Sequence, residues 1–273
     1  MANTGMPQED VTMGVRTGYK QGTPSWVDLA TTDQDAAKSF YASLFGWSWE
    51  ENDMGDGSFY SMAVLDGHYT AAIATMRDEE KAQGVPPHWQ TYITVDNVDH
   101  AVGRVTDAGG MVFGSPFDVF DAGRMAVVAD PTGGIVSLWQ AKNHIGAQVV
   151  NEPGTFTWAE LITDDVRRAG EFFSAVLGVD IVAQTEPFPY TLMQDAGAPV
   201  GGLMQKSPEM GLMPNTWAIT FAVSDTDSTA AKAESLGGKV LVTPMDMPIG
   251  RMAALTDPQG AMFSVIKLAR SMP

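Results

Sequence analysis

The sequence predicts an α+β fold made of two tandem modules, each containing two β-α-β-β-β units. Three observations carry this reading. At 273 residues the chain holds slightly under two domains of roughly 150 residues each. Its halves repeat: Gly22-Thr-Pro-Ser-Trp-Val-Asp-Leu-Ala-Thr-Thr-Asp33 aligns without gaps on Gly154-Thr-Phe-Thr-Trp-Ala-Glu-Leu-Ile-Thr-Asp-Asp165, and nine of 25 positions match across 22–46 and 154–178. Each half then shows a fainter halving of its own, a strand followed by a helix and three strands.

The elements follow in order. Trp26-Val-Asp-Leu-Ala30 has a strand pattern, and Asp33–Phe45 a helical one, with Asp33 as N-cap, Gly46 as C′ residue and Phe40 and Leu44 on the apolar stripe. Strand-like runs at 47–51, 59–65 and 69–76 come next, with Asp66-Gly67 as a hairpin turn. The order restarts with a strand at 89–95 and a helix at 98–108 that stops at Gly109-Gly110. Strands at 111–113, 124–129 and 135–140 close the module, the last two joined by Asp130-Pro-Thr-Gly133. The second module repeats the plan, with strands at 158–162, 252–255 and 261–267 and helices at 165–177 and 226–236. The expected organisation is a flexible tail at 1–21, modules at 22–142 and 154–268, and a linker at 143–153.

Composition excludes several classes. Sixteen Lys and Arg stand against 33 Asp and Glu, a net charge of −17, so neither nucleic acid nor anionic lipid is an expected partner. With 44% hydrophobic and 18% charged residues the chain can build proper cores. The absence of cysteine rules out disulfides, thiolate metal sites and Cys nucleophiles. Residues 1–21 lack a basic segment followed by an apolar one, and no run reaches the ~20 apolar residues of a membrane span, which points to a cytoplasmic protein.

Four such units resemble the vicinal-oxygen-chelate superfamily, which includes glyoxalase I, bleomycin-resistance proteins and extradiol dioxygenases. The residues that carry the likeness are Asp33…Phe40-Tyr41…Leu44-Phe45-Gly46-Trp47, Tyr92-Ile-Thr-Val-Asp-Asn-Val-Asp99 and Gly123-Arg…Asp130-Pro-Thr-Gly…Leu138-Trp139. The two-module arrangement is similar to that of actinobacterial glyoxalase-like proteins, among them mycobacterial antigens and accessory proteins of anthracycline-type biosynthesis. The resemblance implies two curved mixed sheets with concave clefts. It also implies metal ligands on the first and last strands of each unit. Carried over, those positions hold Trp26, Gln90 and Ser137 in the first module and Trp158, Ala218 and Ser264 in the second. Neither 71–75 nor 201–205 supplies a carboxylate or imidazole. Trp and Ser cannot build a divalent-metal site with one Gln, so no metal and no cofactor are expected.

Strand alternation then sorts the faces. Val27 and Leu29, and likewise Trp217, Ile219 and Phe221, should pack toward the helices, leaving Trp26, Asp28, Gln90, Tyr92 and Thr94 in the first cleft and Trp158 and Glu160 in the second. An aromatic beside a carboxylate can stack a planar ligand and bind its hydroxyls; equally, the tryptophans could plug an interface and the acids bond a neighbouring strand. Asp28 and Glu160 are the candidate catalytic bases. Tyr60, Met62, His88, Gln90, Tyr92, Arg124, Trp139, Tyr190 and Met245 complete the candidate ligand-binding set with Trp26, Asp28, Trp158 and Glu160. His68, His88, His100 and His144 read as ordinary surface or loop histidines, with His88 singled out because it precedes a cleft strand. Arg124 and Arg251 either brace a loop or anchor an anion. The 17 methionines suit an adaptable pocket or simple core filling.

The leading functional expectation is metal-independent binding of a hydrophobic aromatic small molecule, for sequestration or in aid of a tailoring enzyme such as an oxygenase. The alternative is a lyase, isomerase or hydroxylase-like enzyme that uses a cleft carboxylate. The first module, with Gln90 where the second has Ala218, is the expected ligand site. Both partners of the family's pairing lie within one chain, which accommodates a monomer or a homodimer.

Overall fold

The computed structural model describes residues 14–186 and 188–269. The first unit is β1 (Pro24–Thr31), α1 (Gln34–Phe45), β2 (Ser48–Asp53), β3 (Phe59–Leu65) and β4 (His68–Thr75). A short helix, α2 (Asp78–Ala82), leads to β5 (His88–Thr94), α3 (Val98–Asp107), β6 (Met111–Val119), β7 (Gly123–Ala129) and β8 (Ile135–Ala141). The second module runs β9 (Phe156–Thr163), α4 (Val166–Leu177), β10 (Asp180–Gln184), β11 (Tyr190–Asp195) and β12 (Ala198–Gln205). It ends with β13 (Thr216–Ala222), α5 (Thr226–Ser235), β14 (Lys239–Met247), β15 (Gly250–Thr256) and β16 (Met262–Leu268).

Local chemistry sets these boundaries. The Asp33 carboxylate accepts from the Ala36 N–H at 3.0 Å, and Gly46 closes α1 at φ 82°, a left-handed value open to glycine. Asp66 and Gly67, both at positive φ, make the tight turn between β3 and β4. Two differences from the sequence reading stand out. Strand β6 continues to Val119, past a break in register between Phe113 and Phe117 where Gly114 sits at φ 82°. Helix α2 was not expected; Glu80 starts it by accepting from the Arg77 backbone N–H at 3.1 Å.

Each module forms one eight-stranded mixed sheet, ordered β2-β3-β4-β1-β5-β8-β7-β6 in the first and β10-β11-β12-β9-β13-β16-β15-β14 in the second. The two units of a module meet at antiparallel central strands, β1 with β5 and β9 with β13. The helix-bearing faces of both sheets share one apolar core. Phe45 of α1 meets Phe221 at 5.0 Å, and Tyr41 meets Phe263 at 5.5 Å. A Cβ on Gly110 or Gly238 would collide with backbone carbonyls and touch Phe172 or Phe40 of the opposite module, so both positions require close backbone approach. The other face of each sheet, here the cleft face, points away from this core.

Of the segment 1–21, residues 1–13 lie outside the described residues. Val15 bridges Val149, the Tyr19 hydroxyl donates to the Ala147 carbonyl at 2.6 Å, and the Gln21 amide donates to the Leu177 carbonyl at 2.9 Å. No helix among the described residues is long and apolar enough to cross a membrane.

Candidate ligand-binding clefts

Alternation along β1 puts Val27 and Leu29 in the core, wholly buried, and sends Trp26 and Asp28 to the cleft face. Cross-strand register then assembles the site. Asp28 lies opposite Gln90, and Trp26 opposite Tyr92, while Met62 reaches the same row through Ala72. The Tyr60 and Tyr92 hydroxyls both donate to Asp28 Oδ2, at 2.9 and 2.8 Å, and the Trp26 indole N–H donates to the Tyr60 oxygen at 2.9 Å. Burial pushes the Asp28 carboxyl up to about 6, against the two phenol hydrogen bonds that favour its charged form. Burial likewise holds the Tyr60 and Tyr92 hydroxyls well above their ordinary range, so both remain donors.

The second module repeats this chain with fewer members. Trp158 donates to the Tyr190 oxygen at 2.9 Å, and Tyr190 donates to Glu160 Oε2 at 2.5 Å. Burial raises the Glu160 carboxyl, with the Tyr190 hydrogen bond as the opposing influence. Thr220 and Ala218 stand where the first module has Tyr92 and Gln90, opposite Trp158 and Glu160. The tryptophans therefore plug no module interface, and each acid is bonded by a tyrosine of its own module. A Cβ on Gly202 would overlap the Tyr190 hydroxyl, so this glycine seats the ring. Gly202→Ala is expected to cost about 1–3 kcal/mol through displacement of Tyr190; a thermal melt unchanged from the parent would show that the ring is not held there.

The remaining candidates divide. His88 opens β5 opposite Ala30, on the Asp28 face, with Nδ1 against the Pro86 carbonyl at 2.9 Å. Trp139 pairs with Thr94 on the cleft face, 6.3 Å edge-to-face from Tyr92. Met245 lies half exposed opposite Met252. Arg124 departs from expectation: it sits one residue out of phase with cleft-facing Met125, and it clamps Asp99 with two 2.9 Å bonds. Arg251 does the same with Asp227 and Asp246, so both arginines brace rather than anchor.

Two features escaped sequence reasoning. His144, read as a linker histidine, packs edge-on against Trp26 at 4.5 Å and Trp139 at 5.9 Å, and burial lowers its ring to about 4. The outer strands also expose apolar side chains on the cleft face. Met111, Phe113, Phe117 and Ile135 are 46–59% exposed, as are Met245 and Met262 at 50% and 46%. Strand periodicity carried that second signal, but β6 had been read as ending at Phe113.

The family's metal positions do not fit a cation. Trp26 spends its indole N–H on Tyr60, and the Gln90 amide donates to Ser137 at 3.3 Å. Indole and serine hydroxyl are poor ligands for a divalent ion, and Ala218 offers none. No group of three His, Asp or Glu among the described residues is placed to hold a metal.

Paired β-α-β-β-β units whose clefts lie across the central strands define a glyoxalase-like class, and comparison agrees. The chain belongs to the Glyoxalase/Bleomycin resistance protein/Dioxygenase superfamily, whose family model matches residues 23–138 and 146–265. It is 50% identical over 264 residues to the Mycobacterium tuberculosis protein named "Putative glyoxylase CFP32", covering 94% of this chain and 99% of that one. It is 36% identical over 273 residues to the "Anthracycline biosynthesis protein DnrV" of Streptomyces peucetius, covering 94% and 97%. Among solved structures, the Mn(II)-bound glyoxalase of Novosphingobium aromaticivorans superposes with a TM-score of 0.63 at 14% identity, over 93% of this chain and 86% of that one. At that identity the likeness is one of fold alone.

Proposed function

We propose that the chain binds a planar, hydrophobic small molecule without a metal, an aromatic polyketide being the leading class. One observation carries this reading: a tryptophan–tyrosine–carboxylate chain replaces the metal donors on each cleft face, beside half-exposed Met and Phe walls. Such a surface stacks a flat ring and offers its substituents a hydrogen-bond acceptor. The relationship to DnrV supports an anthracycline-type ligand, with sequestration or assistance to a tailoring oxygenase as the role. Under this reading the cleft residues touch ligand rather than metal, and the protein works in the cytoplasm as a monomer or homodimer.

Titration with an anthracycline is expected to quench intrinsic tryptophan fluorescence and raise the melting temperature, with or without chelator. Absence of both effects for every aromatic polyketide tried would count decisively against binding. Stoichiometric metal in the purified protein would overturn the metal-free reading.

The Asp28 carboxyl favours a second reading. Held near 6, it is a base available around neutrality, as an isomerase- or lyase-type enzyme requires. Turnover of a methylglyoxal–thiol adduct that rises with a limb near pH 6 and is abolished in Asp28→Asn would establish it.

A further inference from the structure

We propose that the cleft of the second module is the open ligand site, and that it selects a flat apolar cation whose ammonium pairs with Glu160. This rests on the binding reading above and adds which cleft is used and which charge the ligand carries.

Access distinguishes the two clefts. Trp26 is 2% exposed and Asp28 8%, because His144 lies edge-on against the indole and Tyr92 leans over the carboxylate. Trp158 and Glu160 are each only partly buried. Room follows the same division. Where the first module has Ala72, Gln90, Tyr92 and Trp139, register places Gly202, Ala218, Thr220 and Ile266 in the second. The space at Gly202 is taken by the Tyr190 ring, but Ala218, Thr220 and Ile266 are each smaller than their counterparts, so the cleft that looked poorer in side-chain chemistry carries less bulk along these strands. Its Trp158 ring remains fixed by the bond to Tyr190, which gives a preorganised stacking platform.

Charge then selects the occupant. Tyr190 satisfies one Glu160 oxygen, and no charged side chain among the described residues acts on that carboxylate. A carboxylate drawn out of water with no cation beside it is unfavourable, and a ligand ammonium relieves it directly. An aromatic cation gains further from the Trp158 face and from the −17 net charge, which concentrates cations at the surface. The soft side chains of Met245 and Met252, opposite one another on β14 and β15, can shape themselves to a flat ring.

The test uses two dyes of one shape: 9-aminoacridine, protonated at neutral pH, and acridine, which is neutral there. Equilibrium dialysis of the full chain should give about tenfold tighter binding of the cation. Glu160→Gln should bring the two affinities within about threefold of each other. Asp107→Asn makes the same change in net charge at an exposed site and should keep the preference. A preference that survives in Glu160→Gln, or falls equally in Asp107→Asn, overturns the proposal. Should neither dye bind the parent chain, the binding reading itself fails and this one with it. Circular dichroism on each variant separates loss of binding from loss of fold.

Discussion

Tyr41→Phe is expected to destabilise the chain by about 3 kcal/mol and to lower its melting temperature by roughly 10 °C. The Tyr41 hydroxyl lies in the shared core, fully buried, where it donates to Asp257 Oδ2 at 3.3 Å and accepts from the Trp89 indole at 3.1 Å. One oxygen thus satisfies two buried groups on two different modules. Its loss strands both, and a stranded buried polar group costs about 1–3 kcal/mol. Duplication supplies the control within the molecule. The corresponding residues are Phe173, Asp130 and Trp217, and the rings keep their arrangement: Tyr41 meets Trp89 at 5.4 Å and 84°, Phe173 meets Trp217 at 5.5 Å and 84°. Only the hydroxyl differs. Asp130 Oδ2 and Trp217 Nε1 are accordingly buried without a hydrogen-bond partner among the described residues. Phe173→Tyr should therefore stabilise the chain by about 1–2 kcal/mol, read as a higher melting temperature at neutral pH. A lower one would mean that the oxygen does not fit between its two intended partners.

The same pair shows how far a sequence can be read. The alignment of Tyr41 with Phe173 is plain once the repeat is seen, yet nothing local indicates that α1 packs its ring on the other module's Asp257. The units, their caps and the facing of Trp26, Asp28, Trp158 and Glu160 were legible because helix and strand periodicities are local rules. Whether a cleft residue is open or covered was not. His144 closes over Trp26 from the linker, and such a contact leaves no periodic trace. Arg124 was misplaced for a related reason. Its side-chain face depends on the register of β7 against β8, which pairs Met125, not Arg124, with Trp139. The proposal that the second cleft takes the ligand rests on the same ground, since the first module's richer side chains also cover its own Trp26 and Asp28.

Asp28→Asn is expected to stabilise the chain by about 2–3 kcal/mol at neutral pH and by almost nothing near pH 4. Asp28 takes two phenol hydrogen bonds, but burial outweighs them and its carboxyl sits at about 6. Between the ordinary carboxylate range and that value, the folded state binds more protons than the unfolded one. Stability attributable to Asp28 is then highest in acid, falls as pH rises through roughly 4 to 6, and stays level above that window. An amide has no charge to desolvate, and its carbonyl still accepts from a tyrosine, so the variant escapes most of this loss. His88 and Glu80 also act on Asp28, in opposite senses, and both remain in the variant. The difference between the two stability curves therefore isolates Asp28, whatever else titrates. A gain of equal size at pH 4 and pH 8 would show that its ionisation is not perturbed. Glu160→Gln should shift the same way, because burial raises the Glu160 carboxyl too, against its one tyrosine hydrogen bond.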